Sequence, residues 1–172
     1  NSVDTLLQQQ DFFQHVDLWA KELAPDQERE IAAARIKAAY EKKSTELSLK
    51  NLDLSSLPMQ IGMLTSLITI DVSENRLATL PESIGQLKKL EALHAQSNCL
   101  TTLPESLCEL QALQVLIVRD NSLIALPNNL GQLNYLEILD VSTNTLSTLP
   151  ESIGNLKALG GLHVNDNQLK IL

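Results

Sequence analysis

The sequence predicts an α/β solenoid whose stacked coils share one parallel sheet, with an α-helical cap at the N-terminal end. Three observations carry this expectation. Five of the six prolines stand at 58, 81, 104, 127 and 150, an unbroken period of 23 residues, and each follows a leucine. Leucine alone supplies 35 of the 172 residues. Two further columns keep the period: Asn75, Asn98, Asn121, Asn144 and Asn167, and Gly62, Gly85, Gly131 and Gly154, the second interrupted by Cys108. The unit reads L-x-x-L-x-L-x-x-N-x-L-x-x-L-P-x-x-I-G-x-L-x-x. A unit of about 20–29 residues with this pattern is a leucine-rich repeat.

Each part of the unit has a physical reading. The last two leucines of L-x-x-L-x-L point inward from a short strand while the residues between them point out. Consecutive strands stack in parallel about 4.8 Å apart and form a concave sheet. From Leu67 to Leu156 only Ala95 departs from the apolar strand pattern, at a position where other repeats have Val72, Val118 and Val141. The column asparagine follows the strand at a tight bend, where its amide can satisfy backbone groups that would otherwise be buried unpaired. Leu-Pro stops the sheet, and I-G-x-L returns the chain along the convex side. Each inward leucine is worth about 1.5–3 kcal/mol on full burial.

The ends differ from the middle. The first repeat, residues 44–66, keeps Leu47, Leu49, Leu54, Leu57, Pro58, Ile61 and Leu64 but has Leu52 in the asparagine column. An apolar residue there calls for a cover. Residues 1–43 supply it as two helices. Phe12, Phe13, Val16, Trp19, Ala20 and Leu23 form an amphipathic stripe, ended by Ala24-Pro25. The second helix has Asp26, Glu28 and Glu30 near its start, Lys42-Lys43 at its end, and Ala32, Ile36, Ala39 and Tyr40 as a buried face. The division is therefore 1–43 helical cap and 44–172 about six repeats. Leu172 aligns with Leu149 and no polar C-terminal cap follows, so the last repeat is expected to be truncated.

Composition removes several function classes. There are 21 acidic and 13 basic residues, a net charge of −8, and no basic run longer than Lys42-Lys43 or Lys88-Lys89. Nucleic acid is not an expected partner. No apolar stretch approaches the roughly 20 residues of a membrane span, and no secretory signal opens the sequence. Cys99 and Cys108 are too few for a disulfide framework. Catalysis would have to use three histidines, two cysteines and scattered carboxylates. His94 and Cys99 lie on one coil but face differently, and His94 and His163 are three strands, about 14 Å, apart, too far to share a metal. The sequence therefore implies no enzyme, no cofactor and no metal.

Residues 19–58 carry a further likeness. Trp19, Ala24-Pro25, Glu28, Arg29, Ala33, Arg35 and Ile36 lead into Thr45-Glu46-Leu47-Ser48-Leu49 and Leu54-Ser55-Ser56-Leu57-Pro58. This resembles the helix-then-repeat start of leucine-rich-repeat effectors that Gram-negative pathogens secrete into host cells, including those that carry a ubiquitin-ligase domain after the repeats. The ligase-bearing enteric effectors have shorter units, near 20 residues. The 23-residue Leu-Pro-Glu-Ser-Ile-Gly form at 80–85 and 149–154 resembles Legionella effectors and eukaryotic Ras-suppressor-like repeats instead. The resemblance implies protein binding, and delivery into the host cytoplasm. Nothing in the sequence matches a ligase catalytic domain.

The outward columns of the sheet point to where a partner binds. Counting from each first leucine, position 3 carries Glu46, Thr69, Ala92, Val115, Ile138 and Gly161, and position 5 carries Ser48, Asp71, His94, Ile117, Asp140 and His163. Position 7 carries Lys50, Ser73, Gln96, Arg119, Ser142 and Asn165; position 8 adds Asn51, Glu74, Ser97, Asp120, Thr143 and Asp166. Val115, Ile117 and Ile138 form an apolar centre, with His94, Arg119, Asp140 and His163 around it and Ala92 at its edge. Asp71 and His94, like Asp140 and His163, fall on adjacent strands. The expected function is protein–protein interaction through this face by a monomeric bacterial effector, with a host protein or another bacterial protein of basic or mixed surface as partner. The alternatives are an intracellular scaffold of the Ras-suppressor-like class, or the substrate-recognition half of a ligase.

Overall fold

The computed structural model describes residues 1–23 and 27–170. Two helices come first: α1 (Ser2–Ala20) and α2 (Gln27–Lys42). Six three-residue strands follow: β1 (Glu46–Ser48), β2 (Thr69–Asp71), β3 (Ala92–His94), β4 (Val115–Ile117), β5 (Ile138–Asp140) and β6 (Gly161–His163). They pair in chain order, all parallel, each residue in register with the one 23 positions later. The convex return of each coil is a short 3-10 turn, as at Met59–Met63 and Glu82–Gln86.

The leucine columns build one continuous core. Leu47, Ile70, Leu93, Leu116 and Leu139 point inward from the strands, and Leu49, Val72, Ala95, Val118 and Val141 lie beneath the following turn. On β6 the equivalent Leu162 is 41% exposed.

The asparagine column closes the bend between repeats. Asn75 Oδ1 accepts from the Leu52 and Leu54 N–H groups at 3.1 and 2.9 Å, while its Nδ2 donates to the Leu49, Val72 and Ser73 carbonyls. Asn121 takes Leu100 N–H at 2.9 Å and donates to Ala95, Val118 and Arg119 in the same way. The first repeat has Leu52 in place of the column asparagine, and Asn75 of the next repeat bonds its backbone. Leu52 itself is buried.

The glycine column has a steric cause and a partner column of serines. A Cβ added to Gly85 would lie 2.6 Å from the Ser106 carbonyl oxygen of the next coil. Ser83, Ser106 and Ser152 hydroxyls donate back to the carbonyls of Met59, Glu82 and Asn128 at 2.6–2.7 Å. Where Cys108 replaces the glycine, the residue at the facing serine position is Asn129, and the 3-10 turn there shortens to Leu130–Gln132. The two departures fall at the same place in the stack, where the glycine–serine contact of the other coils is absent.

The cap docks through aromatic and charged contacts. Asn1 and Asp4 form a capping box at the start of α1. Phe12, Val16, Trp19 and Ala20 are buried, and Phe12 stacks on Tyr40 at a centroid distance of 4.1 Å. Ala32, Ile36 and Ala39 are buried on α2. Leu23 is a correction to the expected stripe: α1 ends at Ala20, and Leu23 is 52% exposed beyond it. Ala24, Pro25, Asp26 and Leu172 lie outside the described residues. Arg29 is buried against Trp19, its guanidinium 4.7 Å from the ring centre. It donates to Trp19 O at 2.6 Å and to Ser56 Oγ at 2.9 Å, and Trp19 Nε1 donates to the same Ser56 hydroxyl. The Trp19, Arg29 and Ser55-Ser56 signature is thus the seam between cap and first coil.

Candidate protein-binding surface

Strand register brings the outward side chains into two rows. Ala92, Val115, Ile138 and Gly161 are successive neighbours in one, and Asp71, His94, Ile117, Asp140 and His163 in the other. Ile138 is 39% exposed, Arg119 and His163 are exposed, and Ala92, His94, Val115 and Ile117 are half-buried. Ile117 is flanked by His94 and Asp140 on the neighbouring strands, so an apolar side chain sits between two polar ones.

Asp140 is only 9% exposed, which alters its place in the expected charged rim. Its Oδ1 accepts from Ser142 N–H at 3.0 Å and from Ser142 Oγ at 2.6 Å. Asp71 and Ser73 repeat the arrangement, with the backbone bond at 2.9 Å and the hydroxyl bond at 2.5 Å. In both cases the second oxygen, Oδ2, has no protein partner among the described residues. Neither His94 nor His163 forms an ion pair with its neighbouring aspartate. The serines were not singled out from the sequence, although Asp-x-Ser occurs twice at one repeat position and could have marked them.

Arg119 stands exposed without an ion-pair partner among the described residues. Lys50, at the equivalent place in the first repeat, pairs with Glu74 at 3.4 Å. Gln96 Oε1, between Ser73 and Arg119 in the same column, is buried without a partner among the described residues.

Position 8 has a different role from the one its polarity indicated. Asn51, Glu74, Ser97, Asp120, Thr143 and Asp166 all have φ between 53° and 58°. This is the left-handed bend at the end of each strand, adopted in six successive repeats without a glycine.

No group of three or more His, Cys, Asp or Glu side chains converges among the described residues. Cys99 is exposed on a turn, whereas Cys108 is buried. Burial first, then the nearby Glu105 and Glu109 carboxylates, push the Cys108 thiol up from 9.0 to about 11, so it stays protonated at neutral pH. No helix among the described residues is long and apolar enough to cross a membrane.

Comparison with known proteins agrees with this geometry. The model of a leucine-rich repeat region matches residues 46–122, and that of a single leucine-rich repeat matches 135–156. The chain is 33% identical to a Shigella effector LRR domain over 94% of its own length and 67% of that domain, with a TM-score of 0.78. The chain belongs to the leucine-rich-repeat family. This leucine-rich-repeat chain is also 30% identical to YopM from Yersinia enterocolitica WA-314, with a TM-score of 0.82 over 95% of its length. It spans about a third of that Yersinia protein, 34%. A plant peptide hormone receptor, RGFR1 in complex with RGF2, is 31% identical over 65% of the chain and 19% of the receptor, with a TM-score of 0.61. No curated protein matches the sequence. The chain is a leucine-rich-repeat protein-interaction module whose structural neighbours include bacterial effectors.

Proposed function

We propose that this chain is the binding module of a Gram-negative bacterial effector, delivered into the host cell, and that it acts by holding one protein against its concave sheet rather than by catalysis. The observation that carries this reading is the surface around Ile117. An apolar centre of Val115, Ile117 and Ile138 is bordered by an exposed Arg119, without an ion-pair partner among the described residues, and by polar side chains on both flanking strands. An apolar centre with a polar rim is the anatomy of a specific interface. The likeness to YopM and to the Shigella effector domain, which extends through the N-terminal helices, supports the effector assignment. The 23-residue unit favours the Legionella type among such effectors. The binding partner has a basic or mixed surface, matching the net charge of −8, and the module works as a monomer.

Site-specific photo-crosslinking tests this. A benzophenone amino acid is placed at Ile138 on the concave sheet, at Lys157 on the convex side, or at Leu7 on α1. Each protein is then exposed to animal-cell cytosol under ultraviolet light. The expected result is a discrete protein adduct from position 138 alone. Adducts from 157 or 7 with none from 138 would overturn the concave reading.

A further inference from the structure

Resting on the concave reading, one regularity of the sheet goes beyond it. The set Asp-x-Ser followed one strand later by histidine occurs twice, three repeats apart: Asp71 and Ser73 with His94, then Asp140 and Ser142 with His163. The geometry within each copy is the same. Serine N–H and hydroxyl both hold the carboxylate through Oδ1, which fixes it in place and leaves Oδ2 without a protein partner among the described residues. The adjacent imidazole adds a second group able to accept a hydrogen bond. Each copy is therefore a small anionic acceptor site whose aspartate is held before any ligand arrives.

The line between the two copies sets the ligand. The first lies between β2 and β3 and the second between β5 and β6, so their midpoint is β4, where row 5 presents Ile117. Three strand spacings are about 14 Å, and four residues of extended chain also cover about 14 Å. In an extended segment residues i, i+2 and i+4 point to one side. With i and i+4 over the two acceptor sites, i+2 falls on Ile117. A single free carboxylate oxygen suits an ammonium, a compact charge, better than the two-pronged guanidinium, whose strongest contact uses both oxygens. Asp120 and Asp166 along the edge of the sheet add to the negative field, whereas Glu74 is already paired with Lys50. We infer that the concave sheet binds an extended segment of its protein partner with the pattern Lys-x-apolar-x-Lys, laid across the strands. One lysine lies at the Asp71–His94 pair, the other at the Asp140–His163 pair, and the apolar residue lies on Ile117. The pattern reads alike in both directions, so either chain orientation satisfies it.

The test uses the full chain and a fluorescein-labelled peptide, Gly-Ser-Lys-Thr-Leu-Thr-Lys-Ser-Gly, followed by fluorescence polarisation. The peptide is expected to bind, and replacing either lysine with alanine should weaken it by about tenfold, the scale of one charge-assisted hydrogen bond. Inserting one threonine before the second lysine should weaken it as much. Asp71→Asn and Asp140→Asn, which keep an oxygen for Ser73 and Ser142 and so preserve the turn, should each cost about tenfold against the two-lysine peptide. Against a one-lysine peptide either variant should cost little, because one intact pair remains. The inference is overturned if the peptide does not bind, if the spacing makes no difference, or if both asparagine variants bind like the parent. Should the peptide fail while position 138 still crosslinks to a protein, the segment chemistry is wrong and the concave reading stands.

Discussion

Arg29 and Ser56, 27 residues apart, meet at 2.9 Å, and Ser56 also receives the Trp19 indole N–H at 3.1 Å. One buried guanidinium thus ties both cap helices to the turn of the first repeat. Replacing it with an apolar side chain leaves the Trp19 carbonyl and Ser56 short of a donor. Arg29→Met should lower stability by about 1.5–3 kcal/mol, the scale of hydrogen bonds to charged groups. Deleting residues 1–43 should be worse, because Leu47, Leu49, Leu52 and Leu54 would lose their cover, and the shortened chain should aggregate or melt without cooperativity. Thermal unfolding of both variants beside the parent checks this. A deletion that melts like the parent would remove the cap assignment.

Asn121→Ala should cost about 1–3 kcal/mol by leaving Leu100 N–H and three carbonyls without their side-chain partner. Its effect on binding should follow its effect on folding. Urea unfolding together with crosslinking at position 138 separates the two. Abolished crosslinking with unchanged stability would make this asparagine a contact residue.

The solenoid, its register and the role of this asparagine were legible in the sequence because each depends on a residue type repeated in phase. The left-handed column was not. Asn51, Glu74, Ser97, Asp120, Thr143 and Asp166 share a backbone conformation without sharing a side-chain type, so no composition signal marks it. The burial of Asp140 was equally hidden: Asp71 holds the same two serine bonds and is only half-buried, so neither the Asp-x-Ser pattern nor the strand alternation marks it. The extent of α1 was overread for a related reason: Leu23 continues the apolar spacing after the helix has stopped.

Thr143 is the β-branched member of the left-handed column, at φ 53°. A left-handed conformation costs an L-residue about 1–2 kcal/mol, and asparagine tolerates it better than threonine. Thr143→Asn should therefore stabilise the protein, raising the melting temperature by about 2–4 °C for each kcal/mol gained in a chain of this size. Calorimetry reads the shift directly, and a lower melting temperature would show that the threonine makes a compensating contact.

The two thiols should differ in reactivity. Cys99 is exposed, whereas Cys108 is buried with its thiol pushed up to about 11. At pH 8 a disulfide reagent such as dithionitrobenzoate should titrate one thiol of the native chain and two after denaturation. The raised value also has a stability consequence. The folded state favours the protonated thiol, so that contribution is present below pH 9 and is lost as pH rises through about 11. The parent should lose more melting temperature between pH 9 and 11 than Cys108→Ala does. Equal losses would mean that Cys108 ionises in the folded chain as it does in the unfolded one.

Ile117 is the most informative position on the concave sheet, and its neighbours decide how it should be probed. Were it fully exposed, any polar replacement would be tolerated. It is half-buried, with His94 on one side and Asp140 on the other. Ile117→Asp would set two carboxylates opposite each other on adjacent strands, beside one already drawn out of water. Like charges in directly opposed positions destabilise a sheet by up to about 1 kcal/mol, and partial burial adds to that. Ile117→Thr keeps the β-branched shape that suits a strand and adds no charge. The aspartate variant should therefore melt below the threonine variant at pH 7. Arg119→Glu, on an exposed side chain, should leave melting nearly unchanged. If Ile117→Thr and Arg119→Glu both fold like the parent and both lose the adduct formed at position 138, the loss belongs to the binding surface and not to the fold.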